Sequence, residues 1–195
     1  MAGLKRSHMC CDVNESHIGG EVTVMGWVQK RRDLGQLIFI ALRDRTGIVQ
    51  AVVDQTAESG LFAKAESIRS EYVVAVKGIV AARTEENINP SMKTGKIEII
   101  AKELRILSES ETPPFPIEEN SQTKDDLRLK YRYIDLRRPD IFRNIQLRHN
   151  VVQIVREFLN SEKFLEIETP ILTKSTPEGA RDYLVPSRVH PGNYQ

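Results

Sequence analysis

The sequence predicts an N-terminal β-barrel followed by the start of a separate α/β domain. Three observations support this fold class. Short runs rich in Val and Ile alternate with Gly and Asp in the N-terminal half, as in antiparallel strands joined by turns. A stretch rich in proline and glutamate then interrupts the pattern. Beyond that stretch, apolar residues fall at helical spacing.

Five strands and one short helix are predicted in the N-terminal half. Leu61, Ala65 and Ile68 recur at helical spacing between the third and fourth strands. The resulting order, β-β-β-α-β-β, is the layout of the OB fold, a Greek-key barrel that often binds oligonucleotides. We expect this domain to end at residue 107. The predicted strands cover residues 22–28, 37–43, 48–53, 72–81 and 96–107.

A linker and a second folded region are predicted after the barrel. Segment 108–126 has three prolines, six acidic residues and almost no apolar periodicity, which is typical of a linker. From residue 141 to about 160, apolar residues form one helical stripe. Short strands are predicted at 164–167 and 183–185. Because these elements cannot bury a core of their own, region 127–195 is expected to need further chain or a partner subunit.

The composition is that of an ordinary globular protein. The chain has 195 residues, of which 40% are hydrophobic and 28% charged, with a net charge of +1, and this excludes a disordered or collagen-like protein. No apolar run approaches the roughly 20 residues of a membrane span, and no signal segment is evident. We therefore expect a cytoplasmic protein with no membrane partner. Cys10, Cys11 and the scattered histidines lack the spacing of metal ligands, so no metal site is expected.

A basic and aromatic cluster in the predicted barrel favours binding of single-stranded nucleic acid. Lys30, Arg31 and Arg32 end the first predicted strand, and Phe39 lies in the middle of the second. Bases stack on aromatic rings for about 1–3 kcal/mol each, and Lys and Arg neutralise phosphates. The same pattern also fits a Phe39 side chain inside the barrel beside a solvated strand end. Trp27 is expected in the core.

A second candidate site is the charged loop 174–182. Glu178, Arg181 and Asp182 gather around Gly179, which permits a tight backbone. A carboxylate on such a loop could hold the ammonium group of a small substrate, but a solvated charged loop fits the same residues. The sequence has no nucleophile elbow, Walker-type loop or dinucleotide-binding glycine motif.

Long stretches of the sequence resemble the bacterial-type aspartyl-tRNA synthetases, a class II family. The related synthetases for asparagine and lysine share the barrel but differ around Glu-Gly-Ala-Arg-Asp at 178–182. The resemblance covers nearly the whole chain. It is carried by Gly-Trp-Val-Gln-Lys-Arg-Arg-Asp-Leu-Gly at 26–35, Leu-Arg-Asp-Arg-Thr-Gly-Ile-Val-Gln at 42–50, Leu-Lys-Tyr-Arg-Tyr-Ile-Asp-Leu-Arg-Arg at 129–138, and segment 168–188.

The resemblance implies three parts with distinct roles. Residues 1–107 would be an OB domain that binds the tRNA anticodon, residues 108–126 a linker, and residues 127–195 the truncated start of a class II catalytic domain. In that last part, a helix and strand ending at Pro170 would form a homodimer interface. Phe39 would stack on the middle anticodon base. Arg32, Gln50 and Glu98 would hydrogen-bond base edges, with Asn87 on the adjoining loop.

The resemblance also implies a reaction. Enzymes of this family make aspartyl-adenylate from L-aspartate and ATP with Mg²⁺, and then transfer the aspartyl group to tRNA. Glu178 is similar to the family residue that holds the ammonium group of aspartate. The other catalytic motifs are expected after Arg188. We therefore expect no catalytic residue within this chain, which would bind the anticodon without charging the tRNA.

Two alternatives remain open. The first is a free-standing OB-fold module that binds nucleic acid and uses its C-terminal part for docking. The second is a synthetase of relaxed specificity that charges both aspartate and asparagine tRNAs. Leu34 and Asn87 resemble the residues of the discriminating type.

Overall fold

Alternating apolar residues make five strands in the N-terminal half close around one core. The strands are β1 (Glu21–Asp33), β2 (Leu37–Asp44), β3 (Gly47–Asp54), β4 (Val73–Ala82) and β5 (Ile97–Ser108). In β2, the side chains of Ile38, Ile40 and Leu42 are fully buried, whereas Phe39, between the first two, is only half-buried. The computed structural model describes residues 4–56, 60–172 and 185–192. The chain divides after Asp140 into two compact units.

The sheet of the first unit closes into a barrel in the order β1-β2-β3-β5-β4. Neighbouring strands are antiparallel except β3 and β5, which pair in parallel through Ala51 with Ile99 and Val52 with Ile100. Helix α1 (Leu61–Ser67) follows β3 in the chain and buries Leu61 and Ala65. The order β-β-β-α-β-β confirms the predicted OB fold.

Strand β1 is longer than predicted, and its structure corrects the predicted positions of the basic residues 30–32 and of Trp27. Its pairing with β2 continues as far as Asp33, so the basic residues 30–32 lie within the strand instead of ending it. Trp27 is half-buried, so its predicted place in the core is wrong. The indole lies on the outer side of β1 because Gly26 and Val28 face inward. The Arg137 guanidinium covers it at 4.9 Å from the ring centroid.

The segment predicted as a linker belongs to the first unit and buries two of its apolar residues there. Phe115 and Ile117 are buried, and Arg138 Nε donates a hydrogen bond to the carbonyl oxygen of Glu118 at 3.1 Å. Helices α2 (Asp125–Lys130) and α3 (Arg132–Asp135) follow this segment. The proline-rich stretch is therefore held in place by two apolar anchors and one arginine.

A buried carboxylate holds the end of the first unit together. Asp135 is fully buried and accepts hydrogen bonds from Arg128 at 3.0 Å, from Arg138 at 3.1 Å and from Arg132. Burial raises the pKa of Asp135, but the hydrogen bonds from these arginines outweigh burial and hold the pKa below its ordinary value. The carboxylate therefore links α2, α3 and the residue before the last helix.

A long helix with exposed apolar residues lies almost entirely in the second unit. Helix α4 (Pro139–Ser161) confirms the predicted helix and has no buried residue. The strand predicted at 164–167 is wrong, because no other described strand pairs with these residues and they have no regular secondary structure. Most of the strand predicted at 183–185 lies outside the described residues. None of the described helices has the length and apolar character needed to cross a membrane.

Candidate nucleic-acid interface

Four of the residues predicted to bind RNA come together on the outer face of the barrel. Strand alternation turns Phe39, Gln50 and Glu98 outward, because both chain neighbours of each belong to the core. Arg32 joins them from β1. Phe39 is therefore on the outer face and not inside the barrel. We call Arg32, Phe39, Gln50 and Glu98 the outer-face cluster.

A β-bulge in β1 brings Arg32 to this face. The register with β2 shifts between Val28 and Lys30, which makes Gln29 the extra residue. Val28 belongs to the core, and in an unbulged strand Arg32, four residues later, would point inward as well. With the bulge, Arg32 pairs with Phe39. The aromatic ring and the guanidinium are neighbours because of this one irregularity.

Hydrogen bonds join the polar members of the cluster in a chain. Arg32 Nη2 donates to Gln50 Oε1 at 3.1 Å, and Gln50 Nε2 donates to Glu98 Oε2 at 2.9 Å. The Arg32 guanidinium also lies 5.5 Å from the centroid of the Phe39 ring, within the range of a cation–π contact. The cluster thus presents an aromatic ring, a cationic donor and a carboxylate acceptor side by side.

Arg83 extends this hydrogen-bonded chain beyond Glu98, although no motif in the sequence marks it as a site residue. Its side chain is 4% exposed, and its Nε lies 3.7 Å from Glu98 Oε2. The same Nε donates to the carbonyl oxygen of Ile97 at 2.9 Å. Burial lowers the pKa of Arg83, and the negative charge of Glu98 opposes this effect. An arginine at the edge of a polar loop carries no pattern that marks it as buried.

Asn87 lies near the cluster but does not join its hydrogen bonds. It ends a short 3₁₀ turn, Glu85–Asn87, and its side chain is exposed. Its Nδ2 donates to Thr84 Oγ1 at 2.8 Å. Its carbonyl oxygen accepts from Arg83 Nη1 at 3.5 Å. The amide therefore faces solvent while the backbone of the turn is tied to Arg83.

The basic residues of β1 have different surroundings. Arg31 Nη1 donates to the carbonyl oxygen of Glu66 at 2.5 Å, which satisfies a carbonyl at the end of α1. Lys30 is exposed. Arg31 is thus engaged in the fold, whereas Arg32 and Lys30 reach the surface beside Phe39.

Two further predicted site residues, Glu178 and Pro170, come after the barrel in the chain. Glu178, predicted to bind aspartate, falls in segment 173–184, outside the described residues. Pro170, predicted at a dimer interface, is described and exposed, in a segment without regular secondary structure. Both roles stay predictions.

The described ranges contain no cluster of three or more His, Cys, Asp or Glu side chains that could hold a metal ion. The resemblance implies Mg²⁺ for the whole enzyme only, and no residue of this chain was predicted to bind it.

Two family models match this chain, and several curated proteins are similar to it. Residues 22–107 match OB-fold nucleic acid binding domains, and residues 124–195 match class II tRNA synthetases (D, K and N). An aspartate–tRNA ligase from Ruminiclostridium cellulolyticum is 64% identical over 98% of this chain and 32% of that protein. An aspartate–tRNA(Asp/Asn) ligase from Caldanaerobacter subterraneus subsp. tengcongensis is 59% identical over 100% of this chain and 33% of that protein.

A solved synthetase structure is also similar to this chain. The asparaginyl-tRNA synthetase from Pyrococcus horikoshii, complexed with asparaginyl-adenylate, has a TM-score of 0.79 and 28% sequence identity, over 96% of this chain and 42% of that chain. The present chain spans about a third of the length of the curated relatives above. The two family matches and the identity along the chain agree: the chain is homologous, over nearly its whole length, to part of the aspartate–tRNA ligases, with an OB-fold region followed by a class II tRNA synthetase region.

Proposed function

We propose that this chain binds the anticodon loop of a tRNA through the outer-face cluster, as the RNA-binding part of an aspartate–tRNA ligase. The observation that carries this proposal is the hydrogen-bonded chain from Arg32 through Gln50 to Glu98, beside the outward Phe39 ring. Sequence-specific RNA recognition targets unpaired bases, which stack on aromatic rings and are hydrogen-bonded at their edges. The cluster supplies both kinds of contact within one surface.

Each residue has a role that follows from its chemistry. Phe39 stacks on the middle base of the anticodon, which its outward position permits. Glu98 accepts hydrogen bonds from base N–H groups, and Arg32 donates to base oxygens or ring nitrogens. Gln50 holds these two side chains in register and offers its own amide to a base. The exposed amide of Asn87 extends the surface from its turn.

For the whole enzyme, we propose ATP-dependent attachment of L-aspartate to its tRNA, with Mg²⁺, in a cytoplasmic homodimer. Glu178 would hold the ammonium group of aspartate, and Pro170 would lie in the dimer interface. The exposed apolar residues of α4 support an interface in this part of the chain. The 195 residues alone would bind RNA without charging it.

A second candidate is an enzyme that charges both aspartate and asparagine tRNAs. Relatives that are 57–60% identical to this chain are named aspartate–tRNA(Asp/Asn) ligases. Leu34, which is 70% exposed in the turn after β1, resembles the residue of the discriminating type. The two candidates therefore differ in the RNA that the barrel prefers.

Fluorescence anisotropy with labelled RNA tests these proposals. The RNAs are anticodon stem-loops for aspartate and asparagine and one with a scrambled loop, each at two salt concentrations. Preference for the aspartate loop alone is expected of a discriminating enzyme, and equal binding of the first two would favour relaxed specificity. Equal binding of all three would indicate a general nucleic-acid-binding module. No binding would contradict the proposed function.

A mixing assay with ATP, aspartate and tRNA tests whether this chain also performs catalysis. We expect no aminoacylated tRNA, because this chain spans only about a third of the length of the curated ligases that it matches. Robust charging by this chain would contradict the proposal of binding without turnover.

A further inference from the structure

Arg83 is fixed to the start of β5 by its backbone and its side chain. Its N–H donates to the carbonyl oxygen of Lys96 at 2.8 Å. Its Nε donates to the carbonyl oxygen of Ile97 at 2.9 Å. The side chain is almost fully buried, so its rotamer is set by packing as well as by these bonds. The guanidinium is therefore a rigid point in the fold.

The same guanidinium lies close to two of the predicted RNA-binding residues, Asn87 and Glu98. Its Nη1 lies 3.5 Å from the carbonyl oxygen of Asn87 and its Nε 3.7 Å from Glu98 Oε2. Glu98 in turn accepts from Gln50. Arg83 is thus the link between the outer-face cluster and the turn that carries Asn87.

Stability alone does not account for this arginine. Among the described residues its Nη2 is buried without a hydrogen-bond partner, and an unpaired buried donor destabilises the folded state. The distance to Glu98 exceeds that of a hydrogen bond, so the buried cation is incompletely paired. A buried ion pair is weak evidence for stability, and such local conflicts concentrate at functional sites.

We propose that Arg83 is a positioning residue of the RNA-binding surface, which orients the Glu98 carboxylate and places the turn of Asn87. This inference rests on the proposed function of the cluster. Because the guanidinium is buried, it neutralises no phosphate. Its loss should therefore change which bases are preferred and leave the electrostatic part of the affinity unchanged.

Three variants separate positioning from phosphate contact. Arg83→Met keeps the length of the side chain and removes the charge and the donors. Arg83→Lys keeps the charge, but one ammonium group cannot reach both the Glu98 carboxylate and the carbonyl oxygen of Asn87. Lys30→Met is the matched control, because Lys30 is an exposed cation in β1, two residues before Arg32 of the outer-face cluster.

The readouts are dissociation constants for the aspartate stem-loop and for stem-loops with one anticodon base changed, at two salt concentrations. For Arg83→Met, we expect roughly tenfold less discrimination at one anticodon position, as for a lost base contact, with an unchanged salt slope. Nuclear magnetic resonance of the free variant should show altered side-chain signals of Glu98 and Asn87. For Lys30→Met, all RNAs should bind more weakly and the salt slope should fall by about one.

Unchanged discrimination in a folded Arg83→Met would overturn the positioning role. A uniform loss of affinity with a lower salt slope would overturn it as well, because that result indicates a phosphate contact. If Arg83→Met does not fold, discrimination and the salt slope are measured for Arg83→Lys, and the same outcomes overturn the positioning role. Failure of the unaltered chain to bind any stem-loop would instead overturn the proposed function, so the two failures are distinguishable.

Discussion

The barrel buries its apolar residues, whereas helix α4 of the C-terminal unit leaves its apolar residues exposed. In the barrel, residues such as Ile40 and Leu104 are buried almost completely, because the strands close on themselves. In the C-terminal unit, α4 buries none of its residues, and Val152 and Phe158 are exposed. A closed sheet supplies its own partner surface, whereas a single helix needs another surface to bury its apolar side chains.

The largest difference between the two regions should appear in truncations of apolar side chains. Ile40→Ala should lower the free energy of unfolding by about 4 kcal/mol, because it leaves a cavity in the barrel core. The matched variant Ile154→Ala should change it by less than about 0.5 kcal/mol, because Ile154 of α4 is exposed in this chain. Urea denaturation measures both. Equal effects would show that α4 is buried in solution and that the two regions do not differ in this way.

Asp135 tests whether a buried charge holds the end of the first unit. Asp135→Asn should lower the free energy of unfolding by about 3 kcal/mol at neutral pH, because it leaves arginines incompletely paired. The pKa of Asp135 is lowered in the folded protein, so its stabilising effect is present above about pH 4, the pKa of an unperturbed Asp. That effect is lost as the pH falls through the lower folded value.

Urea denaturation of the unaltered chain and of Asp135→Asn, from pH 7 downward, measures this contribution. The difference between the two should shrink on acidification. A difference that is constant with pH would show that ionisation of Asp135 has no part in stability.

Phe39 tests the outer face of the barrel separately from its core. Phe39→Ala should weaken binding of the aspartate stem-loop by about 1–3 kcal/mol, the value of one stacked base. Ile100→Ala is a suitable control, because Ile100 is an exposed residue of β5 and has no aromatic ring. Anisotropy measures both. An unchanged dissociation constant for Phe39→Ala would show that the ring does not contact RNA.

Arg32 is expected to have the smallest effect on total affinity and a clear effect on selectivity. If Arg32 donates to a base edge, Arg32→Ala should reduce discrimination among anticodon variants by about 1 kcal/mol. If it contacts a phosphate, all RNAs should bind more weakly and the salt slope should fall by about one. Titration at two salt concentrations distinguishes these outcomes.

The order of the elements was predictable because each depends on local patterns. The alternation in the five strands and the spacing of Leu61 and Ala65 are visible in the sequence, and the fold has strands and helix α1 at these positions. The strand predicted at 164–167 is wrong because strand formation does not depend on the local pattern alone. A strand is stabilised by backbone hydrogen bonds to a neighbour, and an apolar run by itself cannot supply that neighbour.

The candidate site was only partly predictable. Phe39 lies in a continuous apolar run with Ile38 and Ile40, so its direction could not be chosen until pairing with both neighbouring strands was known. The resemblance supplied Arg32, Gln50, Asn87 and Glu98 by position, and their functional roles remain predictions.

The OB order of elements, the long helix and the resemblance to the aspartyl-tRNA synthetases can be deduced from the sequence, because periodicity and motifs are properties of neighbouring residues. The outward direction of Arg32 after the bulge at Gln29 and the burial of Arg83 next to Glu98 are visible only in the folded chain. These features depend on residues far apart in the chain. A change of one residue in strand register reverses the face of every later side chain, and burial of a charge depends on what the folded chain places around it.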